Sequence, residues 1–370
     1  MTETKPFILH ISKYYLPVYG GLERVIEGIS KYTKNEFAHI ICCYNDDHKG
    51  NKGRLPKKEI IDSVEIRRMK YWKSGWFHFG IPDVSVLKKA SVIHIHNSDL
   101  LLDVTILLKI IFKIKAPIIV STHGLIFHHQ NFMSLKVLYL KLTFPVKKKF
   151  VSLFLASGIN DYSYLKNQLK IEKVILFENP INIPSKFNFP EKREGIISIN
   201  RLQNSKNIGK TIDICWRIRE AGFTEPIRFI ISGQEADISE LIGTTDFEHY
   251  KFELIHNCSD EEKWNYFSSS KYFIHSADYE GFGISVLESL VSGCLTFVTN
   301  QVEGNFRHHH FENLFAFSSK DSSEEVSRFI LSKNNLNPIQ YSRKLLDNFD
   351  WEHQCNKISL IYNQVLKNED

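Results

Sequence analysis

A chain of 370 residues is too long for one core of ordinary size and suits two domains. Apolar content of 43% with 24% charged residues is that of a folded globular protein and excludes long disordered stretches. The six cysteines (Cys42, Cys43, Cys215, Cys258, Cys294, Cys355) show no CxxC pairing, which excludes a disulfide framework and reads as reduced, buried thiols of a cytoplasmic protein.

Short apolar runs alternate with amphipathic stretches along the whole chain, the pattern of a parallel-sheet α/β fold. The first run, 7–12, follows six N-terminal residues and is too short and wrongly flanked for a signal peptide. A helix is expected at 21–33, then strands at 38–43, 64–68 and 92–96. The helix at 100–114 is the nearest approach to a membrane span, but Asp103, Lys109 and Lys113 interrupt it. A strand at 118–121, a helix at 134–144, a strand at 153–156, a helix at 161–169 and a strand at 174–177 complete the first half.

Pro180, Pro184 and Pro190 make the next stretch an extended linker, so the expected domains are 1–178 and 195–350, joined by 179–194. The second half predicts strands at 195–200, 227–232, 252–255, 272–275, 295–299 and 314–317. Its helices are expected at 208–221, 260–268, 283–291 and 323–332, with a last one at 351–366.

Four segments carry candidate chemistry. After the 272–275 strand the chain turns through Glu280-Gly281-Phe282-Gly283-Ile284 into a helix. Free backbone N–H groups and the positive end of a helix dipole at such a turn suit a phosphate. Glu280 would stand at the mouth of the turn, with Glu288 about two helical turns further on roughly the same face. From spacing alone, a plain glycine turn with two solvated carboxylates fits equally well. Arg201 and Lys206 lie between a strand and a helix start, where a cation gains nothing from the dipole, and together suit a diphosphate leaving group. Gly20 and Gly21 open the first helix and permit close approach of a ligand to the backbone. His123 ends a strand, where an open α/β sheet places its ligands. The runs His128-His129 and His308-His309-His310 match no zinc spacing, and neither a GxSxG elbow nor a P-loop is present, so no metal or cofactor is expected.

Together these segments resemble glycosyltransferase family 4, the retaining group with the GT-B fold: two Rossmann-like parallel-sheet domains facing across a cleft. The resemblance covers nearly the whole chain and rests on Gly20-Gly21, Thr122-His123-Gly124, Arg201 with Lys206-Asn207, and Glu280 through Glu288. It implies that Glu280 and His123 contact the donor sugar and that Glu288 holds the nucleotide ribose. Arg201, Lys206 and the amides of Phe282 to Ile284 would bind the diphosphate. The last helix would cross back onto the first domain. Two departures stand out: Asn200 where the family has glycine, and His275-Ser276 where it has Pro-Ser.

The reaction so implied is same-face transfer of a hexose from a UDP- or GDP-linked donor to a glycan or lipid-linked acceptor, as in bacterial surface polysaccharide or glycoconjugate synthesis. The competing readings are a nucleotide-sugar epimerase or sugar phosphorylase of two Rossmann units, and a non-catalytic nucleotide-sugar or glycan-binding protein. Between Val104 and Asn160 there are eight lysines and no Asp or Glu. That one-sign region, with an apolar helix inside it, points to peripheral attachment to the anionic inner face of a membrane. It holds no arginine, which argues against nucleic acid.

Overall fold

The computed structural model describes residues 5–18, 20–47, 53–74, 77–125, 133–184, 190, 192–201, 206–232, 247–256, 258–341 and 346–367. The chain divides into two compact units, Met1–Phe127 with Asn131–Pro180 and Phe349–Asp370, and Ile181–Asn348. Each is built on its own sheet.

The first unit contains strands β1 (Phe7–Ile11), β2 (Ala38–Tyr44), β3 (Lys58–Ile61), β4 (Val64–Met69), β5 (Tyr71–Ser74), β6 (Phe77–Gly80), β7 (Val92–Ile95), β8 (Ile118–Ser121), β9 (Val151–Ala156) and β10 (Val174–Leu176). The main sheet runs β10-β9-β8-β7-β1-β2-β4-β3, parallel throughout except for the β3–β4 hairpin. Helices cover both faces, which is why these strands read as nearly unbroken Val, Ile and Leu. Sequence periodicity does not predict β3. Its hairpin turns through Asp62 and Ser63 at φ 51° and 68°, a left-handed pair that carries no glycine to announce it.

Side-chain alternation splits the first core in two. Ile8, Val92, Ile119 and Leu155 meet Val25 and Ile29 of helix α1 (Gly21–Thr33), together with Trp351, Ile358 and Tyr362 of the C-terminal helix Trp351–Lys367. The two helices pack tightly at Gly28, where a Cβ would lie 2.0 Å from the Trp351 ring. The opposite face, with Leu9, Ile93, Ile95 and Val120, takes Leu101, Leu102 and Ile106, then Leu140 and Phe144. The short α2 (Val84–Leu87) precedes the helices that carry those five residues, α3 (Leu100–Ile111) and α4 (Met133–Phe150). Helix α5 (Ile159–Ser163) passes into a π-helical turn, Tyr164–Gln168, where one regular helix is expected.

Helix α4 corrects two expectations. It does not stop before Pro145 but continues to Phe150 with the proline inside it. The eight lysines are also not one solvated face. Lys147 is 1% exposed and donates to the Ser98 carbonyl (2.8 Å) and the Tyr139 hydroxyl (3.0 Å), with Asp103 at 3.2 Å. Lys109 closes the end of α3 by donating to the carbonyls of Ile114, Lys115 and Ala116, and Lys136 is buried. The apolar side of α4 faces outward instead: Leu135, Leu138, Leu142 and Val146, spaced three and four residues apart, are all exposed. Leu107, Ile110 and Ile111 of α3 are exposed too.

In the second unit β11 (Ile196–Arg201), β12 (Ile227–Ser232), β13 (Phe252–His256), β14 (Tyr272–His275), β15 (Leu295–Thr299) and β16 (Leu314–Phe317) match the six expected strands. They form one all-parallel sheet in the order β13-β12-β11-β14-β15-β16. Helices α6 (Ile208–Glu220), α7 (Asp260–Ser269), α8 (Ile284–Val291), α9 (Asn300–Glu303) and α10 (Ser323–Leu331) accompany it. Arg193, at the end of the stretch read as linker, donates to the carbonyls of Ser270 (3.0 Å), Ser292 (2.8 Å) and Phe267 (2.6 Å) and so fixes the entry to β11.

Counted from the first strand of each unit, this is the 3-2-1-4-5-6 order of a Rossmann sheet. In the first unit β4-β2-β1-β7-β8-β9 repeats it. The order reverses direction between the first and fourth strands, and loops leaving their carboxyl ends there diverge to open a crevice. Those strands are β11 and β14 in one unit, β1 and β7 in the other.

Candidate active site

The switch point of the second unit brings Lys206 and Glu280 together. Lys206 follows β11 and Glu280 follows β14, and the ammonium and carboxylate form an ion pair. Asn207, in the left-handed region at φ 48°, begins α6 and ties the two loops together. Its carbonyl accepts from Ser276 Oγ at 2.9 Å, and its amide donates to Asp278 at 3.5 Å.

Glu280 also accepts from His275 Nε2 at 3.0 Å. Burial alone would raise its carboxyl pKa; the Lys206 charge and the His275 hydrogen bond outweigh that and hold it well below the usual carboxylate range. The Glu280 backbone N–H donates to Gln301 Oε1 at 3.1 Å. Asn305, fully buried, spans the turn by donating to the carbonyls of Glu280 (3.3 Å) and Phe282 (3.2 Å). Sequence reasoning misses Gln301 and Asn305 because side-chain amides that clamp a turn from a later loop leave no local pattern. His275 is visible in the sequence only as a departure from the family motif, and the structure makes it a ligand of Glu280.

Gly283 at φ 97° turns the chain into α8 and needs to be glycine, since left-handed backbone penalises any Cβ. Gly281 lies in the same turn. Phe282 is buried against Phe306, so its ring belongs to the core and only its backbone is available to a ligand. The first N–H groups of α8, from Ile284 on, lack intrahelical partners by geometry and carry the positive end of the dipole. Helix α8 begins at Ile284, so Glu288 sits little more than one turn inside it and not two turns from Glu280 along one helix. Glu288 is buried and ion-paired with Lys263 of α7 at 2.6 Å, while Lys263 also reaches Asp260 at 3.1 Å. Lys263 is a further residue that sequence spacing does not reveal.

Arg201 is the last residue of β11; its side chain lies outside the described residues. Two buried polar atoms beside these loops have no hydrogen-bond partner, Asn200 Oδ1 and His275 Nδ1. Both belong to the positions where the sequence departs from the family. An unsatisfied buried polar atom is costly, and a polar ligand or a water relieves that cost.

In the first unit, Gly20 caps α1 in extended backbone (φ −151°, ψ −179°), a conformation open to any residue, and Gly21 is the first residue of the helix. The dihedrals therefore give no reason for glycine at Gly20. His123 stands just past β8 in a turn of three successive left-handed residues, at φ 46°, 94° and 52° for His123, Gly124 and Leu125. Such backbone costs energy and persists only where neighbours impose it. Here the buried Asp161 imposes it, accepting from Thr122 Oγ1 and from the Gly124 N–H at 2.8 Å. Burial drives the Asp161 carboxyl up to about 6, and its three hydrogen-bond donors limit the rise. Behind His123 lie His96, His10 and His94, all fully buried, with one ring nitrogen of His10, His94 and His96 each within 4.8 Å of the others. His128 and His129 lie outside the described residues. His308 and His309 lie in a 3₁₀ turn, where His308 is exposed and His309 partly exposed, and His310 at its end is exposed.

Residues 181–344 match the family model described as Glycosyl transferases group 1. The chain is a glycosyltransferase. Among curated relatives it is 22% identical over 303 residues, 79% of this chain and 78% of the other, to a GDP-mannose:cellobiosyl-diphosphopolyprenol alpha-mannosyltransferase of Xanthomonas oryzae pv. oryzae. Among solved structures it superposes on a glycosyltransferase of Rickettsia africae with a TM-score of 0.69 at 17% identity, covering 98% of this chain and 99% of that one. Alr3699/HepE of Anabaena, in complex with UDP and glucose, gives a TM-score of 0.68 at 14% identity, covering 97% and 100%. The fold is thus the two-sheet α/β fold of GT-B glycosyltransferases. The family match falls wholly within the unit that holds Lys206, Glu280 and Glu288.

Proposed function

We propose that the enzyme moves a hexose from a nucleoside-diphosphate sugar, with retention of configuration, to a lipid-linked or glycan acceptor in bacterial surface polysaccharide or glycoconjugate synthesis. The observation that carries this reading is the Lys206–Glu280–His275 cluster at a Rossmann switch point beside the start of α8. Because Glu280 stays ionised, it accepts hydrogen bonds from sugar hydroxyls and does not act as an acid. Lys206, Arg201 and the amides of Phe282, Gly283 and Ile284 stabilise the charge that grows on the departing diphosphate. Glu288 accepts from the ribose hydroxyls, with Lys263 fixing its carboxylate, and His123 serves the donor sugar.

In the proposed step the bond from the anomeric carbon to the phosphate oxygen breaks as the acceptor oxygen attacks on the same face. The acceptor proton passes to the leaving phosphate oxygen. Fixed cations and backbone dipoles supply the leaving-group stabilisation, so the step needs no metal ion.

The Xanthomonas relative, named for GDP-mannose and a diphosphopolyprenol-linked acceptor, makes a GDP-hexose and a polyprenyl-diphosphate glycan the first pair to test. No helix among the described residues is long and apolar enough to cross a membrane. We assign the exposed Leu135, Leu138, Leu142 and Val146 stripe of α4, flanked by exposed Lys141, Lys148 and Lys149, to the anionic inner surface of the membrane that carries such an acceptor.

The test is incubation with GDP-mannose and a panel of UDP- and GDP-sugars, with and without a polyprenyl-diphosphate oligosaccharide, and NMR of the new linkage. Transfer that keeps the donor's anomeric configuration is expected. An inverted linkage overturns retention, and isomerisation of the sugar without acceptor favours an epimerase.

A further inference from the structure

The histidines behind His123 form a continuous hydrogen-bonded line through the first unit. His39 Nε2 meets Thr33 Oγ1 at 2.9 Å; His39 Nδ1 meets His10 Nε2 at 3.0 Å; His10 Nδ1 meets His96 Nε2 at 3.0 Å; and His96 Nδ1 meets His123 Nε2 at 3.2 Å. These rings come from β1, β2 and the ends of β7 and β8, the switch-point strands and their neighbours, and the line ends in α1 at Thr33. The three inner rings are buried, and burial lowers the pKa of each: first by desolvation, then, for His10 and His96, by the neighbouring imidazoles. A neutral imidazole carries one N–H, so it donates on one side and accepts on the other.

One bond sets the direction of the whole line. Thr33 Oγ1 lies 2.7 Å from the Ile29 carbonyl, which only accepts, so the single hydroxyl proton points there. Thr33 Oγ1 must then accept from His39 Nε2–H, which leaves His39 Nδ1 bare to accept from His10 Nε2–H. The same step repeats: His10 Nδ1 accepts from His96 Nε2–H, and His96 Nδ1 accepts from His123 Nε2–H.

We infer that Thr33, His39, His10 and His96 are positioning residues that hold His123 as its Nε2–H tautomer, five hydrogen bonds from the helix carbonyl that sets it. The basic atom of His123 is then Nδ1, and toward a ligand the ring is an acceptor and not a donor. This deepens the role given to His123 above and rests on that reading for its catalytic meaning; the tautomer itself does not depend on turnover. His94 stands aside from the line. Its nitrogens meet Tyr362 Oη (2.7 Å) and Ser121 Oγ (2.8 Å). A metal held by His10, His94 and His96 would have to break these bonds, because each of their ring nitrogens is already engaged.

The test is a long-range ¹⁵N–¹H correlation spectrum of full-length protein labelled at histidine nitrogens, with signals assigned by single His→Gln variants. Expected are a pyrrole-type Nε2 and a pyridine-type Nδ1 for His39, His10, His96 and His123 alike. Thr33→Val removes the acceptor at the far end, so all four rings should shift together toward Nδ1–H, His123 included, while Thr33→Ser keeps the wild-type pattern. A wild-type His123 with Nδ1–H, a Thr33→Val change confined to His39, or a metal retained on purification with the His10 and His96 N–H signals lost would each overturn the proposal. Should Thr33→Val fail to fold, the wild-type spectrum still decides. Normal tautomers with no glycosyl transfer would sink the functional reading and leave this one standing.

Discussion

The two units place different chemistry at the same topological address. In the second, the crevice between the first and fourth strands holds charge: Lys206 against Glu280, with Lys263 against Glu288 one helix away. In the first, the matching strands carry His10 and His96, which burial keeps neutral, in a line whose proton positions are set by hydrogen bonds. A parallel sheet of this order offers a crevice, and the residues lining it decide what it does. Fixed charges suit a departing diphosphate, which needs positive charge at the moment it leaves. Neutral imidazoles suit an uncharged partner such as a hydroxyl, where what matters is which atom donates.

The contrast can be broken most severely on the charged side. Lys263→Met strips the buried Glu288 of its ammonium neighbour and should cost about 3–5 kcal/mol in chemical denaturation. Adding Glu288→Leu should restore much of that stability while leaving the ribose ligand absent; an unchanged single variant would contradict the pairing. Lys206→Ala should lower kcat by about 10²–10³, as does loss of one preorganised donor elsewhere. Arg201→Ala should do the same, and near-normal kinetics in both would remove the leaving-group role.

On the neutral side the sharper probe is pH. Asp161, which holds the His123 turn, has a folded-state pKa of about 6, above the 3.8 of an unperturbed aspartate. The folded state therefore binds its proton more tightly. Asp161 contributes fully below about pH 4, and its contribution falls by about 3 kcal/mol as pH rises through 6. Asp161→Asn should flatten that part of the stability profile relative to wild type, and identical profiles would refute the assignment. The smallest effect belongs outside both crevices. Leu142→Ser on the exposed face of α4 should change stability by less than about 0.5 kcal/mol, yet weaken binding to anionic vesicles at low salt.

The strands of both sheets were legible because a doubly covered parallel strand must be apolar on both faces, and a run such as 295–299 can hardly be anything else. The β3–β4 hairpin was not, because Asp62 and Ser63 adopt left-handed backbone without glycine. Glu280, Lys206 and Gly283 were legible as residue types at a strand-to-helix turn. Their supports were not: Asn305 and Gln301 act from other segments through tertiary contact, as Asp161 does for the His123 turn. The lysines at 109, 136 and 147 misled, because composition counts a charge wherever its ammonium ends up, and these are spent on internal carbonyls, Asp103 or burial. The histidine line was equally invisible, since His10, His39, His96 and His123 share neither spacing nor motif and meet only when β1, β2, β7 and β8 pair.

The central claim is that Lys206 and Glu280 line the seat of a nucleoside-diphosphate sugar. Thermal unfolding of wild type and Lys206→Ala across a panel of GDP- and UDP-sugars tests it directly, since ligand at 100 times Kd stabilises by about 2.7 kcal/mol. The expected result is a raised midpoint for wild type with at least one donor and loss of most of that shift in the variant. No shift with any nucleotide sugar, or an equal shift in both proteins, would contradict it.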